Sequence, residues 1–300
     1  MIKERPAVRA DFALLVLLAA LWGGSYSFIK VGVATIPPIT LIAGRTLIAG
    51  LLLLALLGWR GISLPSDAAT WRRFLVQACL NSVLPFTLIA WAELRIDAGL
   101  AVILNATTPI FTFLLTLVAS RHEAVTGRKA MGVLCGLFGT CLIVGMEALN
   151  GTGDAVWPQL AVVLATVCYA AAAIFGKRFA GMDPMLPAAG SLICGAALLL
   201  PVSLMVDRPW NLQPSAASLA ALLALSIFST ALAFVIYFRL VAVLGSVGVT
   251  AQGYLRVPIG AAIGVLLLGE TLASTAWAGL ACVLAGVIAM TLPARRVAAA

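Results

Sequence analysis

The residues of this chain that are best suited to chemistry are aromatic and polar side chains at helical spacing within apolar segments. Trp22, Tyr26 and Lys30 recur every fourth residue, so in a helix they share one face, with Ser25 beside them. Rings flanked by hydroxyl and amide groups suit a small molecule that has an apolar part and a few polar atoms. The pattern predicts a binding surface rather than a catalytic centre.

Further polar residues lie within other apolar segments. Each has a structural alternative, because Ser and Thr hydroxyls often bond back to their own helix and Asn or Gln can simply join two helices. We nevertheless select a set of candidates for the wall of a substrate cavity. Its members are Trp22, Ser25, Tyr26, Asn81, Asn105, Thr108, Tyr169, Gln252 and Arg256.

Two arginines lie within apolar segments. Arg256 is about ten residues into a span of about 23, near mid-bilayer, where a guanidinium costs several kcal/mol unless it is solvated or paired. No acidic residue lies at a comparable depth, so water or a bound anion is its expected partner. Arg45 is only two turns into its span, and we expect it to reach the outer interface near Asp97 or Glu93.

Two prolines interrupt apolar segments near their middles, at nearly matching positions in the two halves of the chain. Pro109 and Pro258 each remove an intrahelical hydrogen bond and bend the helix. Symmetric bends suit hinges or the bowed wall of a cavity. We therefore predict hinges at both.

Enzyme signatures are scarce in the sequence. His122 is the single histidine, and although Glu123 follows it, the second histidine of an HExxH zinc helix is missing. The six cysteines all lie in apolar segments without paired spacing, which is typical of small core residues. We expect no enzymatic activity, no catalytic residue, no cofactor and no metal.

Composition indicates that the lipid bilayer is the solvent of this chain. Hydrophobic residues make up 63% and charged residues 10%, against about 25% charged in a soluble domain. Ten apolar stretches are each about 20 residues long, enough to cross a membrane. The first is longer than the apolar core of a signal peptide, so we expect it to be retained. The stretches are 11–33, 39–58, 73–92, 98–119, 128–146, 157–176, 186–206, 216–238, 246–268 and 276–292.

The basic residues predict the orientation of these spans. Fourteen of the 19 fall on one side, which is therefore the cytoplasmic side and holds both termini of a bacterial-type inner membrane protein. The net charge of +8 reflects this topology, and no basic face indicates a nucleic-acid partner. The fourteen are Lys3, Arg5, Arg9, Arg60, Arg72, Arg73, Arg121, Arg128, Lys129, Lys177, Arg178, Arg239, Arg295 and Arg296.

The chain also repeats itself at an offset of 147 residues. Residues 22–30 (WGGSYSFIK) align with 169–177 (YAAAAIFGK), and Glu123, Gly132 and Gly139 align with Glu270, Gly279 and Gly286. Five spans per half is an odd number, so the second half enters the membrane upside down. We predict an all-α integral membrane protein of ten transmembrane helices as two inverted five-helix repeats, residues 1–146 and 147–300.

The pattern resembles the EamA-type members of the drug/metabolite transporter superfamily. The matching residues are the LWG-S of Leu21–Ser25, the helix of Pro109, and Glu270 followed by Trp277, Gly279 and Gly286. Within the family the chain is most similar to the YddG-type amino-acid exporters of bacterial inner membranes. The resemblance implies a ten-helix basket in which spans 1, 3, 4, 6, 8 and 9 line a central cavity, and it implies export of metabolites.

We therefore expect a secondary transporter that exports amino acids, including aromatic ones, or related small metabolites by alternating access. A multidrug or other metabolite exporter of the same superfamily is the alternative, and a passive channel is less favoured. A proton-coupled exporter of cationic drugs typically needs a carboxylate within the membrane, and no span centre here carries one. The sequence contains no ATP-binding motif, so we expect no ATP-driven step.

Overall fold

The structure is a computed structural model that describes residues 6–119, 156–250, 252–271 and 273–291, together with 131, 132, 134–136, 138, 139 and 142. The regular elements within these residues are helical. Up to residue 119 the helices are α1 (Pro6–Gly23), α2 (Ser25–Val33), α3 (Pro38–Trp59), α4 (Ala68–Ala78), α5 (Leu84–Ala92), α6 (Ala98–Asn105) and α7 (Thr108–Ala119). From residue 156 they are α8 (Val156–Gly176), α9 (Met185–Val206), α10 (Ala216–Ser226), α11 (Ala233–Thr250), α12 (Gly253–Leu268) and α13 (Ser274–Thr291).

Within the described residues, seven helical stretches are long and apolar enough to cross a membrane. They correspond to seven of the ten predicted spans, whereas 246–268 and 276–292 contain two shorter apolar helices, Ile259–Leu268 and Ser274–Gly286. The predicted span 128–146 lies mostly outside the described residues, as do His122 and Glu123. The seven stretches are Asp11–Val33, Pro38–Trp59, Ala68–Ala92, Ala98–Leu117, Val156–Phe179, Met185–Val206 and Ala216–Leu244.

Helices α3 and α9 pack against each other in opposite directions. Near the start of α3, Thr40 Oγ1 donates to Asp207 Oδ2 at 2.7 Å, just beyond the end of α9. At the other end, Arg60 lies 3.7 Å from Asp183, just before α9 begins. The first residues of the two helices are 147 apart in the chain, and so are their last residues.

Small residues allow α13 to approach the segment around 131–142 at backbone distance. A Cβ added to Gly139 would lie 2.6 Å from the carbonyl oxygen of Gly279, and one added to Gly286 would press against the carbonyl oxygen of Gly132. Such small-residue faces are how membrane helices pack tightly. The pairing of early with late residues means that the two segments run antiparallel.

Two wide turns of π-helix interrupt the long helices near the centre of the bundle. They are Cys79–Val83, between α4 and α5, and Ile227–Leu232, between α10 and α11. In the second, Thr230 Oγ1 donates at 2.7 Å to the carbonyl oxygen of Leu225, five residues back. Single π-turns often mark functional sites, because they shift side chains that a regular helix would place elsewhere.

The helix breaks differ from those that the sequence predicts. The predicted connection at 239–245 is helical, since α11 continues to Thr250, and the next helix, α12, begins at Gly253. The fourth span breaks at 106–107, and Pro109 follows in the first turn of α7, where a missing N–H costs little. Pro258 lies within α12, and its side chain is outside the described residues. A hinge at either proline stays a prediction.

Candidate functional site

A cavity lies between the helices, with about 650 Å³ of space between atoms, part of which is open to solvent. Trp22, Asn81, Thr108 and Tyr169 line it, and each lies near the middle of its membrane-spanning stretch. The cavity is therefore near the centre of the hydrocarbon layer. Of the nine predicted cavity residues, eight line it and Asn105 packs behind them. The eight are Trp22, Ser25, Tyr26, Asn81, Thr108, Tyr169, Gln252 and Arg256.

Aromatic rings form one wall of this cavity. Trp22 is anchored by its Nε1–H, which donates to the carbonyl oxygen of Ser229 in the second π-turn at 3.1 Å. Its ring lies 5.4 Å from that of Tyr237 and meets Phe234 edge to face at 6.5 Å, both on α11. Our sequence prediction missed Phe86, Phe234 and Tyr237, although Phe234 and Tyr237 are three residues apart and so share a helix face.

Arg256 lies in the first turn of α12, where the helix meets α1. Gly23 makes this approach possible, because an added Cβ would lie 2.9 Å from the carbonyl oxygen of Arg256. The buried guanidinium donates through Nη2 to the side-chain oxygen of Asn105, with the backbone oxygen of Asn105 at 3.5 Å. Its Nε has no hydrogen-bond partner among the described residues. The sequence did not pair Arg256 with Asn105, so the expectation of water or an anion as sole partner was incomplete.

Arg45 does not reach the outer interface, and that expectation was wrong. Only 1% of its surface is exposed, and it lines the same cavity as Arg256. Its guanidinium carbon lies 3.6 Å from the centre of the Phe86 ring, and its Nε donates to Thr230 Oγ1 at 2.6 Å. Stacking on an aromatic face and a hydroxyl acceptor stabilise the charge inside the bundle.

The hydroxyl groups bond mainly to their own helices. Thr108 Oγ1 donates to the carbonyl oxygen of Asn105 at 2.7 Å, and Thr112 Oγ1 donates to that of Thr108 at 2.9 Å. Ser25 Oγ likewise donates to the carbonyl oxygen of Trp22 at 2.7 Å. Each of these hydroxyls therefore bonds back to its own helix, which is the alternative to a role in the cavity that the sequence left open. Ser25 and Thr108 still border the cavity with the remainder of their surface.

Several buried polar atoms around the cavity have no hydrogen-bond partner among the described residues. They include the Nδ2 of Asn81 and of Asn105, the Nε of Arg256 and the Oε1 of Gln252. Buried polar groups are normally satisfied, and a cluster of unsatisfied ones is a place where a polar ligand or water would gain binding energy. Most of these atoms can donate.

One end of the bundle holds a buried acidic side chain beside a lysine. Lys30 Nζ donates to the carbonyl oxygens of Glu93 and Ile96, at 2.8 and 2.7 Å, and so caps the end of α5. The Glu93 carboxylate is 1% exposed, and neither oxygen has a hydrogen-bond partner among the described residues. Burial raises the pKa of the Glu93 carboxyl well above its usual range, with the nearby Glu270 adding to the effect and Lys30 opposing it.

Glu270, in the second half of the chain, bonds to a helix of the first half near Glu93. Its carboxylate oxygens accept hydrogen bonds from the backbone N–H groups of Ala98 and Gly99, at 2.9 and 2.8 Å. Unpaired N–H groups at the start of a helix favour a negative charge, so Glu270 stabilises the start of α6. From the sequence we used Glu270 as an anchor of the repeat and of the family resemblance, and we did not predict this contact.

Long apolar helices surround a cavity that contains both aromatic and charged groups, an architecture of multi-pass membrane proteins. In the part of the chain that the structure describes, no three His, Cys, Asp or Glu side chains come together as metal ligands. The chain belongs to the EamA-like transporter family, whose profile matches residues 12–145 and 156–292. It is therefore a membrane transporter of that family.

Individual relatives agree with this assignment. The chain is 26% identical to the inner membrane transporter YedA of Escherichia coli K12, over 94% of this chain and 90% of that protein. It is 28% identical to a probable terminal-alkyne amino-acid exporter of Streptantibioticus cattleyicolor, over 91% of each. A solved crystal structure shares the fold with a TM-score of 0.67 at 19% identity, covering 96% of this chain and 99% of the other.

Proposed function

We propose that this protein is a secondary transporter of the inner membrane that exports amino acids, including aromatic ones, or related small metabolites. The observation that carries the proposal is the mid-membrane cavity, in which the Arg256 guanidinium is held by Asn105 beside the ring of Trp22. A guanidinium suits a carboxylate, and aromatic walls suit an apolar side chain. The exporter of Streptantibioticus cattleyicolor supports the same substrate class.

We further propose that the chain forms ten transmembrane helices in two inverted halves, 1–146 and 147–300, which open the cavity to each side in turn. The antiparallel packing of α3 with α9 supports this, because the two helices are equivalent in the repeat. A residue also meets its own equivalent: Cys135 Sγ donates at 3.4 Å to the carbonyl oxygen of Cys282, which is 147 residues later. Both features are expected where a two-fold axis lies in the membrane plane.

Two ion pairs support cytoplasmic termini. Arg239 of α11 lies 3.7 Å from Asp11 of α1, and Arg60, just after α3, lies 3.7 Å from Asp183, just before α9. Both arginines belong to the side of the chain that is rich in basic residues. Thr40 and Asp207 meet at the other end of α3. Since basic loops stay in the cytoplasm, the first end is assigned to that side.

The test is transport by purified protein in liposomes against a panel of amino acids, with and without a pH gradient. We expect saturable uptake and counterflow, and we expect Trp22→Ala and Tyr169→Ala to lower both with little loss of folded protein. Trp157→Ala is the matched control, because this ring is 70% exposed on the outside of α8. Flux that does not saturate would indicate a channel, and no flux of any amino acid would contradict the proposal.

A further inference from the structure

The wall of the cavity has an unbalanced charge. Arg45 of α3 and Arg256 of α12 both line it, and no acidic residue does so among the described residues. The described part of the chain also places no carboxylate within 4.0 Å of either guanidinium. Two unpaired cations in the membrane interior are costly, so their retention calls for a compensating group.

Neutral groups hold both guanidiniums without cancelling their charge. Arg45 rests on the Phe86 ring and donates to the Thr230 hydroxyl, and Arg256 donates to the Asn105 amide oxygen. Contacts of this kind fix the direction of the side chain and leave its charge available. The arrangement is that of a prepared anion site, in which the donors are oriented before the ligand arrives.

The two guanidiniums border one common space. Tyr26 and Tyr169 line the same cavity as Arg45 and Arg256. The Nδ2 of Asn81 and the Nε of Arg256 are further donors without partners among the described residues. A single small molecule can therefore meet both cations.

The nearby acidic groups do not supply the missing negative charge. Glu93 is buried at the end of α5, where the helix dipole and the raised pKa of its carboxyl both favour the neutral form. The charged groups that face it are Lys30, Arg45 and Glu270. Glu270 is already engaged by the first N–H groups of α6.

We infer that the cavity takes an organic anion, a carboxylate with a second acceptor group and an apolar part, in preference to a zwitterion. This inference rests on the proposed transport function and narrows its substrate class. The carboxylate binds one guanidinium and the second acceptor binds the other. A free ammonium would face two cations and would find only neutral acceptors, such as the Oε1 of Gln252 and the aromatic rings, which is a weaker arrangement than a carboxylate partner.

Three probes that share one ring test the inference on the unmodified protein in liposomes. They are N-acetylphenylalanine, phenylalanine and phenethylamine. Each unlabelled probe is tested for its ability to inhibit the counterflow of the other two. We expect N-acetylphenylalanine to bind at least about tenfold more tightly than phenylalanine, and phenethylamine to bind most weakly. A preference for phenylalanine over its acetylated form would overturn the inference and leave the proposed function intact. Failure of all three probes and of the amino-acid panel would remove both.

Variants locate the effect at the two arginines. Arg45→Gln and Arg256→Gln are each expected to lower the affinity for N-acetylphenylalanine by about tenfold or more, and to change the affinity for phenethylamine little. Arg60→Gln is the matched control, since its guanidinium is half exposed beside Asp183. If Arg45→Gln fails to fold, Arg45→Lys keeps the charge and should retain the preference for the anion. If the folded variants lost affinity equally for all three probes, the result would contradict the inference.

Discussion

The substitution Asn105→Asp tests the central contact of the site at almost constant size. Asn105 is fully buried, and its side-chain oxygen accepts from Arg256 Nη2 and, at 3.2 Å, from Thr108 Oγ1. Both of these donors remain able to donate to a carboxylate. The substitution therefore gives Arg256 a carboxylate partner within the protein, which it lacks among the described residues. We expect the variant to fold.

The magnitude follows from the kind of bond that the substrate would lose. A hydrogen bond to a charged group contributes about 1.5–3 kcal/mol, and the substrate carboxylate must now compete with an internal one for Arg256. Affinity should fall by about 10- to 150-fold, since 1.4 kcal/mol corresponds to a factor of ten. The thermal unfolding temperature of the variant without substrate should be equal to or higher than that of the parent.

The assay is counterflow in liposomes, with ligand-induced shifts in melting temperature as an independent measure of binding. Asn211→Asp, in an exposed turn, is the matched control for the added charge. In a double-mutant cycle, Arg256→Gln should lower the melting temperature more in the Asn105→Asp background than in the parent, because it leaves the new carboxylate buried and unpaired. Unchanged affinity in a folded Asn105→Asp variant would refute the assignment of Arg256 to the substrate.

Three other predictions address packing, pH and topology. Gly139→Ala should destabilise the protein by about 1–3 kcal/mol, because the new Cβ meets a backbone carbonyl at 2.6 Å, whereas Gly58→Ala, with nothing within 4 Å, should be neutral or slightly stabilising in thermal unfolding. The pKa of Glu93 is higher in the folded protein than its unfolded value near 4.5. Its contribution to stability is therefore present below the unfolded pKa and is lost as pH rises through the folded pKa. Glu93→Gln should remove this pH dependence from a curve of unfolding free energy against pH. In a cysteine-free background, a cysteine at Ser66 should label only from the cytoplasm and one at Gln213 only from outside, and labelling of both from one side would contradict the inverted arrangement.

The sequence predicted seven of the long apolar helices and half of the residues that line the cavity, because both depend on local periodicity. Apolar stretches of sufficient length identified seven of the spans that the structure contains. Trp22 and Tyr26 were selected because residues four apart share a helix face, and both line the cavity. Their part in binding substrate stays a prediction, which the variants above are designed to test.

The helix breaks were not predictable in the same way, since they depend on contacts between distant segments. Gly23 meets the backbone of α12 where the first span is interrupted between α1 and α2. Glu270 stabilises the start of α6 from more than 170 residues away. Pro109 is visible in the sequence as a potential bend, but the chain breaks just before it, and a proline in the first turn of a helix fits without a kink.

Arg45 shows most clearly where reasoning from depth fails. Two turns from a span's end, a long cationic side chain is normally expected to extend to the membrane surface. Here the π-turn at Ile227–Leu232 presents the hydroxyl of Thr230 toward α3, and Phe86 offers its face, so the guanidinium is stabilised inward. None of these partners is near Arg45 in the chain. A cation within a span is therefore better judged by whether another helix can supply acceptors than by its distance from the interface, and on that criterion Arg45 and Arg256 belong to one site.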